Sequence, residues 1–70
     1  MEYIVEVRWD EEANVWYAFN DSMPLALESD SFDTLIERVK IVAAEILQDN
    51  GAGQNPFSLY FRAERKESVA

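Results

Sequence analysis

The stretch from Ser31 to Gly51 constrains the fold most, because its apolar residues recur with the spacing of one helix face. Hydrophobic side chains three and four residues apart line one side of an α-helix, and polar residues separate them here. Ser31 can cap the first turn, and Gly51 can end the helix in the left-handed conformation. The apolar stripe consists of Phe32, Leu35, Ile36, Val39, Val42, Ala43, Ile46 and Leu47. A single helix with one such stripe needs a sheet to cover.

Two segments before the helix predict an antiparallel hairpin. Tyr3–Trp9 alternates apolar and polar residues as a half-buried strand does, and Val15–Asn20 is rich in aromatic residues. The polar loop between these strands ends at Asn14, a residue that tolerates the left-handed conformation. Pro24 then interrupts the ladder, because proline has no N–H to donate. Leu25–Glu28 is predicted to be a third, short strand at an edge of the sheet.

The last strand is predicted at Phe57–Glu64, directly after Pro56. Residues 1–70 should form a single domain, because a chain this short holds one core. The element order is β-β-β-α-β, in which the crossover helix brings the last strand back parallel to the first. We therefore expect an α+β fold with a four-stranded mixed sheet, in strand order 3-2-1-4, and one helix on one face.

The charge balance narrows the range of partners. The chain has 14 acidic and six basic residues, a net charge of -8 at pH 7, which disfavours direct binding of nucleic acid and favours a basic protein partner. A 70-residue chain without cysteine gains little stability from its small core, so we expect a homodimer. The residues also show no signal peptide and no membrane span, from which we expect a cytoplasmic location.

The second strand is apolar on both faces, although only one face can meet the helix. Trp16 and Ala18 point to one side, and Val15, Tyr17 and Phe19 point to the other. Either arrangement leaves an apolar patch exposed, so both remain open at this stage. We predict a protein interface on the uncovered face, formed by Ile4, Trp16, Ala18, Tyr60 and Arg62.

The polar residues give little indication of catalysis or metal binding. The chain has no histidine or cysteine, so its serines lack the usual base beside a nucleophile. The series Asp10, Glu12, Asn14 has calcium-loop spacing, but Val15 stands where such a loop needs glycine. We therefore expect a solvated hairpin loop and no catalytic, metal or cofactor residue. The alternative function is a small-ligand or metal-binding regulator that uses the acidic loops.

Several short motifs together resemble the HicB-like antitoxin superfamily. They are Trp9-Asp10-Glu11-Glu12-Ala13, Val15-Trp16-Tyr17-Ala18, Asp21-Ser22-Met23-Pro24-Leu25, Asp30-Ser31-Phe32-Asp33-Thr34-Leu35, Glu45-Ile46-Leu47 and Pro56-Phe57 with Leu59. The chain is most similar to a branch of stand-alone domains of unknown function. The resemblance extends over residues 3–64 and implies a partial ribonuclease H-like fold and neutralisation of a small toxin by direct contact. With the net charge of -8 and the lack of catalytic residues, we expect that toxin to be basic and the role to be non-enzymatic.

Two departures limit what the resemblance implies. Members of the superfamily usually have glycine after the proline of the bend that follows the second strand, and this chain has Leu25 there. Full HicB proteins also carry a C-terminal segment that binds operator DNA, and the sequence given ends at Ala70 without a counterpart. The implied role is therefore a protein-binding, antitoxin-like one, without DNA binding by this chain itself.

Overall fold

The computed structural model describes residues 2–49 and 56–69. The elements are β1 at Glu2–Asp10, β2 at Val15–Asn20, β3 at Leu25–Ser29, α1 at Phe32–Asp49 and β4 at Ser58–Glu64. The predicted order of elements is confirmed, and each predicted strand boundary lies within one residue of the observed one. The predicted helix end at Gly51 and the loop that follows it lie within residues 50–55, outside the described residues.

The four strands form one mixed sheet in the order β3-β2-β1-β4, which confirms the predicted topology. β1 pairs antiparallel with β2, and β2 pairs antiparallel with β3. β4 pairs parallel with β1, as the crossover through α1 requires. Val7 is opposite Ala18 on β2 and opposite Ala63 on β4. These three residues therefore share one face of the sheet, because directly opposed residues point the same way.

The core lies between α1 and one face of the sheet. Val5 and Val7 of the central strand are fully buried beneath the helix residues Leu35 and Val39, which are also fully buried. Among the described residues, no polar or charged side chain is buried. Within residues 2–49 and 56–69, no helix combines the length and the apolar character that crossing a bilayer requires. The opposite face of the sheet has no covering layer within the described residues.

Local hydrogen bonds explain where the helix begins and where the first hairpin turns. The amide of Thr34 donates to Ser31 Oγ at 3.3 Å, which is the predicted N-terminal cap. In the hairpin loop, Asp10 Oδ1 accepts from the amides of Glu12 and Ala13 at 3.1 and 3.3 Å. Asn14 closes the loop with φ 56°, in the left-handed region, as expected.

The prediction that Trp16 and Ala18 lie on the uncovered face is wrong. Ala18 is 1% exposed and belongs to the core, where it is paired with Val7. The Trp16 ring packs edge-on against Phe32 at the start of α1, with ring centroids 5.0 Å apart. The physical reason is the hairpin register, which pairs Trp9 with Trp16 and so turns both rings toward the helix side. Neither residue belongs to a free surface of the sheet.

The helix–sheet contact predicts unequal effects of two truncations on α1. Leu35→Ala removes a fully buried side chain and should lower the free energy of unfolding by about 2–4 kcal/mol. Ile41→Ala is the matched control, because Ile41 is 61% exposed and its truncation should change stability by less than about 0.5 kcal/mol. Urea denaturation followed by circular dichroism measures both. Equal losses would contradict the assigned packing face.

Candidate protein interface

The side of the sheet opposite α1 carries an apolar surface on β2 and β3, which we call the free-face patch. The rings of Tyr17 and Phe19 stack there with centroids 5.9 Å apart and an interplanar angle of 16°. Val15 and the exposed Ala26 extend this surface along β2 and onto β3, where Ala26 is opposite Phe19. Stacked, half-buried aromatic rings are typical anchors of protein interfaces, since they offer large area at little entropy cost.

Charged side chains border the free-face patch. Glu28 is opposite Tyr17 on β3, and Asp10 is opposite Val15 on β1. A shallow groove between β2 and β3 brings the patch and both carboxylates together. Arg8 reaches over the Phe19 ring, with its guanidinium carbon 5.6 Å from the centroid, as a cation–π contact. The patch therefore already holds one guanidinium group, and its rim is acidic.

An ion pair links β1 to the edge strand β4 on the free face. Arg62 Nε donates to Glu6 Oε1 at 2.9 Å, and Nη2 of the same arginine donates to that oxygen as well. The two residues are directly opposed in the register of β1 and β4. The hydrogen bond from Arg62 holds the pKa of the Glu6 carboxyl below its ordinary value, and the same contact raises the pKa of Arg62. Both groups stay charged at neutral pH.

A second apolar area lies at the other end of β1 and β4. Ile4 is 49% exposed and Tyr60 is 56% exposed, and the two are directly opposed on the free face. The Tyr60 hydroxyl donates to Glu2 Oε1 at 3.4 Å. The Asn20 side-chain amide donates to the backbone oxygen of Ile4 at 2.6 Å and ties β2 to β1.

The helix-covered face carries a different aromatic cluster at the end of the sheet near the first hairpin. Trp9 and Trp16 meet edge-on with centroids 5.4 Å apart. Arg65, just after β4, places its guanidinium carbon 4.1 Å from the Trp9 ring centroid and pairs with Glu67 at 2.6 Å. This cluster packs the end of the core, on the face to which the hairpin register turns both tryptophans.

The predicted interface residues thus separate into two groups. The structure brings Ile4, Tyr60 and Arg62 together on the free face, where their role in binding stays a prediction. Trp16 and Ala18 lie on the helix-covered face. The predicted interface did not include the free-face patch. The outward orientation of its β2 residues was considered only as the alternative arrangement, and Ala26 on β3 was given no role. A hairpin loop of four residues, Glu11–Asn14, would have indicated the correct face, because its length fixes which residues oppose one another.

The acidic residues do not assemble a metal site within residues 2–49 and 56–69. No group of three or more acidic side chains is placed there to hold a cation. Asp10, the first residue of the series with calcium-loop spacing, directs its carboxylate to loop amides instead. The described geometry therefore provides no observation that favours the metal-binding alternative.

Comparisons with known proteins agree with this architecture. The model of a family described as a domain of unknown function, DUF1902, matches residues 2–70. The crystal structure of a hypothetical protein from the extremely thermophilic bacterium Thermus thermophilus is similar, with a TM-score of 0.72 and 28% identity. The alignment covers 100% of this chain and 99% of that one. Among curated proteins, none matches.

The Glu6–Arg62 pair predicts a pH-dependent contribution to stability. Because folding lowers the pKa of Glu6, the pair stabilises the protein above the ordinary glutamate pKa of 4.5 and loses that effect as the pH falls through the lowered value. Arg62→Gln should therefore lower the melting temperature at neutral pH, and its difference from wild type should shrink on acidification. Lys66→Gln, an equal charge loss outside the sheet, is the control. A melting-temperature difference between Arg62→Gln and wild type that does not change with pH would contradict the stabilising role of this ion pair.

Proposed function

We propose that this chain, which belongs to the DUF1902 family of domains of unknown function, is a non-enzymatic protein-binding module of the HicB-like antitoxin type. In this proposal the domain self-associates and neutralises a small basic toxin by direct contact. The observation that carries the proposal is the free-face patch, an apolar surface with a stacked aromatic pair on a sheet face that α1 leaves uncovered. A toxin that must be held inactive is made in the same cell, so the proposal includes a cytoplasmic location.

The chemistry of the free face supports a partner that is basic and partly apolar. Tyr17 and Phe19 supply the area from which a partner can exclude water, and the carboxylates of Glu28 and Asp10 lie beside them. The net charge of -8 attracts a basic protein over distance and speeds the encounter. Arg8 already covers part of Phe19, so a partner's arginine or lysine could replace it over the ring.

The same features disfavour two other classes of function. A nucleic-acid backbone would be repelled by the acidic surface, because phosphate contacts need a local excess of lysine and arginine. Hydrolysis of RNA by a ribonuclease H-type mechanism would need several carboxylates around metal ions. Glu6, the acid on the first strand that such a mechanism would use, is hydrogen-bonded to Arg62 on the face away from the helix. A role in binding a protein fits these residues better.

The proposal predicts that a single substitution in the free-face patch abolishes partner binding. Ala26→Lys places a cation beside Phe19, so it should repel a basic partner and prevent close packing on the ring. The chain is co-expressed with the affinity-tagged product of the adjacent reading frame, and the retained complex is quantified. We expect wild type to co-purify and Ala26→Lys to be retained at least about tenfold less, a loss of roughly 1.4 kcal/mol of binding free energy.

The matched control is Ala44→Lys, the same chemical change at an exposed position on α1. It should leave retention unchanged, and circular dichroism should show that both variants keep the fold. Binding of wild type should also weaken as salt rises, because screening reduces attraction between opposite charges. Failure of the neighbouring product to bind, or equal retention of the two variants, would overturn the proposed function.

A further inference from the structure

The two edges of the sheet differ in how well they are protected from pairing with another strand. At the β3 edge, which is five residues long, Arg38 of α1 donates from Nη1 to the backbone oxygen of Glu28 at 3.2 Å. A cationic side chain against the backbone of a short strand is a common protection against pairing with another strand. The turn before β3 also has Pro24 next to Leu25, which restricts extension of the strand in that direction. The β3 edge is therefore a poor site for strand addition.

The β4 edge has the opposite character. β4 is seven residues long, from Ser58 to Glu64, and it forms the other end of the sheet. Its two long polar side chains lean inward, Tyr60 toward Glu2 and Arg62 toward Glu6 of β1. Both side chains are therefore held away from the outer edge of β4. At that edge, alternate backbone N–H and C=O groups point away from β1. Within residues 2–49 and 56–69, an approaching strand would meet an open backbone edge.

Apolar side chains accompany this edge on the helix side of the sheet. Leu59 and Phe61 pack against the core but remain partly exposed, and with Phe57 and Lys40 they line a groove beside α1. Val5 and Val7, one strand further in, are fully buried. The cover that α1 provides therefore thins out between β1 and β4. Apolar groups of another molecule beside the β4 edge would add to the burial of Leu59 and Phe61.

We propose that the β4 edge pairs antiparallel with β4 of a second copy of this chain, forming a continuous eight-stranded sheet. This inference rests on the proposed function and deepens it, since it assigns the self-association to one strand. A two-fold axis perpendicular to the sheet relates the copies, so both helices lie on one side. Both free-face patches then lie on the other side, toward the two ends of the continuous sheet, and the dimer presents two equivalent surfaces to partners.

The side chains of β4 suit antiparallel pairing with β4 of a second copy. With the axis at Phe61, Arg62 of each copy is opposite Tyr60 of the other, and Leu59 is opposite the small, exposed Ala63. Arginine against tyrosine is a favourable pair, and alanine leaves room for leucine. With the axis at Arg62, two guanidinium groups would oppose each other, which disfavours that register. The distribution of charge along β4 thus disfavours the register centred on Arg62 and permits the one centred on Phe61 without like-charge contacts.

The contact area sets the expected strength of the dimer. A seven-residue strand is about 24 Å long. The contact at its edge, including the side chains that project from both faces of the sheet, is about 20 Å across. Such a contact buries roughly 1,000 Å² in total, at the lower limit for a specific interface. The chain exposes 5181 Å² as a monomer, so each copy would cover about a tenth of its surface. We therefore expect a micromolar dissociation constant.

Sedimentation equilibrium between about 1 μM and 1 mM protein tests the pairing, since this range brackets a micromolar dissociation constant. Wild type should pass from the 8.1 kDa monomer to twice that mass. Ala63→Lys should raise the dimer dissociation constant at least about tenfold, because its ammonium group would face Leu59 of the other copy. Ala63 is exposed in the monomer, so the variant should fold, as circular dichroism verifies. Ala44→Lys and Ala26→Lys should dimerise like wild type.

Hydrogen exchange supplies a second readout that does not depend on a variant. Amide protection in Ser58–Glu64 should rise with protein concentration, whereas protection in Leu25–Ser29 should not. A wild type that stays monomeric at 1 mM, a dimer unaffected by Ala63→Lys, or protection that rises at β3 instead would each overturn the β4 pairing.

The two proposals fail in distinguishable ways. Ala26→Lys tests partner binding and leaves the β4 edge intact, whereas Ala63→Lys tests the edge and leaves the free-face patch intact. Salt separates them further, because screening weakens attraction to a basic partner but relieves repulsion between two copies of net charge -8. A dimer that strengthens with salt and binds no basic neighbour would support the β4 pairing and overturn the proposed function.

Discussion

The contact between one amphipathic helix and one side of the sheet is the constraint on which the rest of the structure depends. α1 buries Leu35 and Val39 against Val5 and Val7, and these four fully buried residues form the centre of the core of the described residues. One helix can cover only one face of a four-stranded sheet. In the part of the chain that the structure describes, the other face and the outer strand β4 therefore stay accessible, and both candidate interaction surfaces follow from that geometry.

Charge and apolar surface have complementary roles on the uncovered side. Fourteen acidic residues keep copies of the chain apart at long range, yet the free face holds stacked rings and an internal ion pair between Glu6 and Arg62. Pairing Arg62 with Glu6 keeps that guanidinium within its own chain. In the proposed function, the acidic rim contacts a partner of opposite charge.

The fold was predictable because the spacing of apolar residues indicates which residues are buried. Which residues of β2 face the helix was not predictable in this way. Trp16 and Ala18 were assigned to the uncovered side while the hairpin was taken to begin at Asp10. In the structure Asp10 still belongs to β1, the loop starts at Glu11, and β2 is shifted by one residue relative to β1. Since side chains alternate along a strand, that shift exchanges the two faces of β2 completely. An apolar residue occupies every position of β2 from Val15 to Phe19, so no alternation could reveal the error, and only the length of the hairpin loop could have done so.

The sequence by itself determined the helix, the four strands, their order and the acidic character of the surface, because local spacing and composition specify these without reference to distant residues. Only the tertiary structure decided which residues of β2 face outward, that Arg38 lies against β3, and that Tyr60 and Arg62 lean toward β1. Those features depend on contacts between residues far apart in the chain, where a single residue of register changes every neighbour. The candidate interfaces belong to this second class.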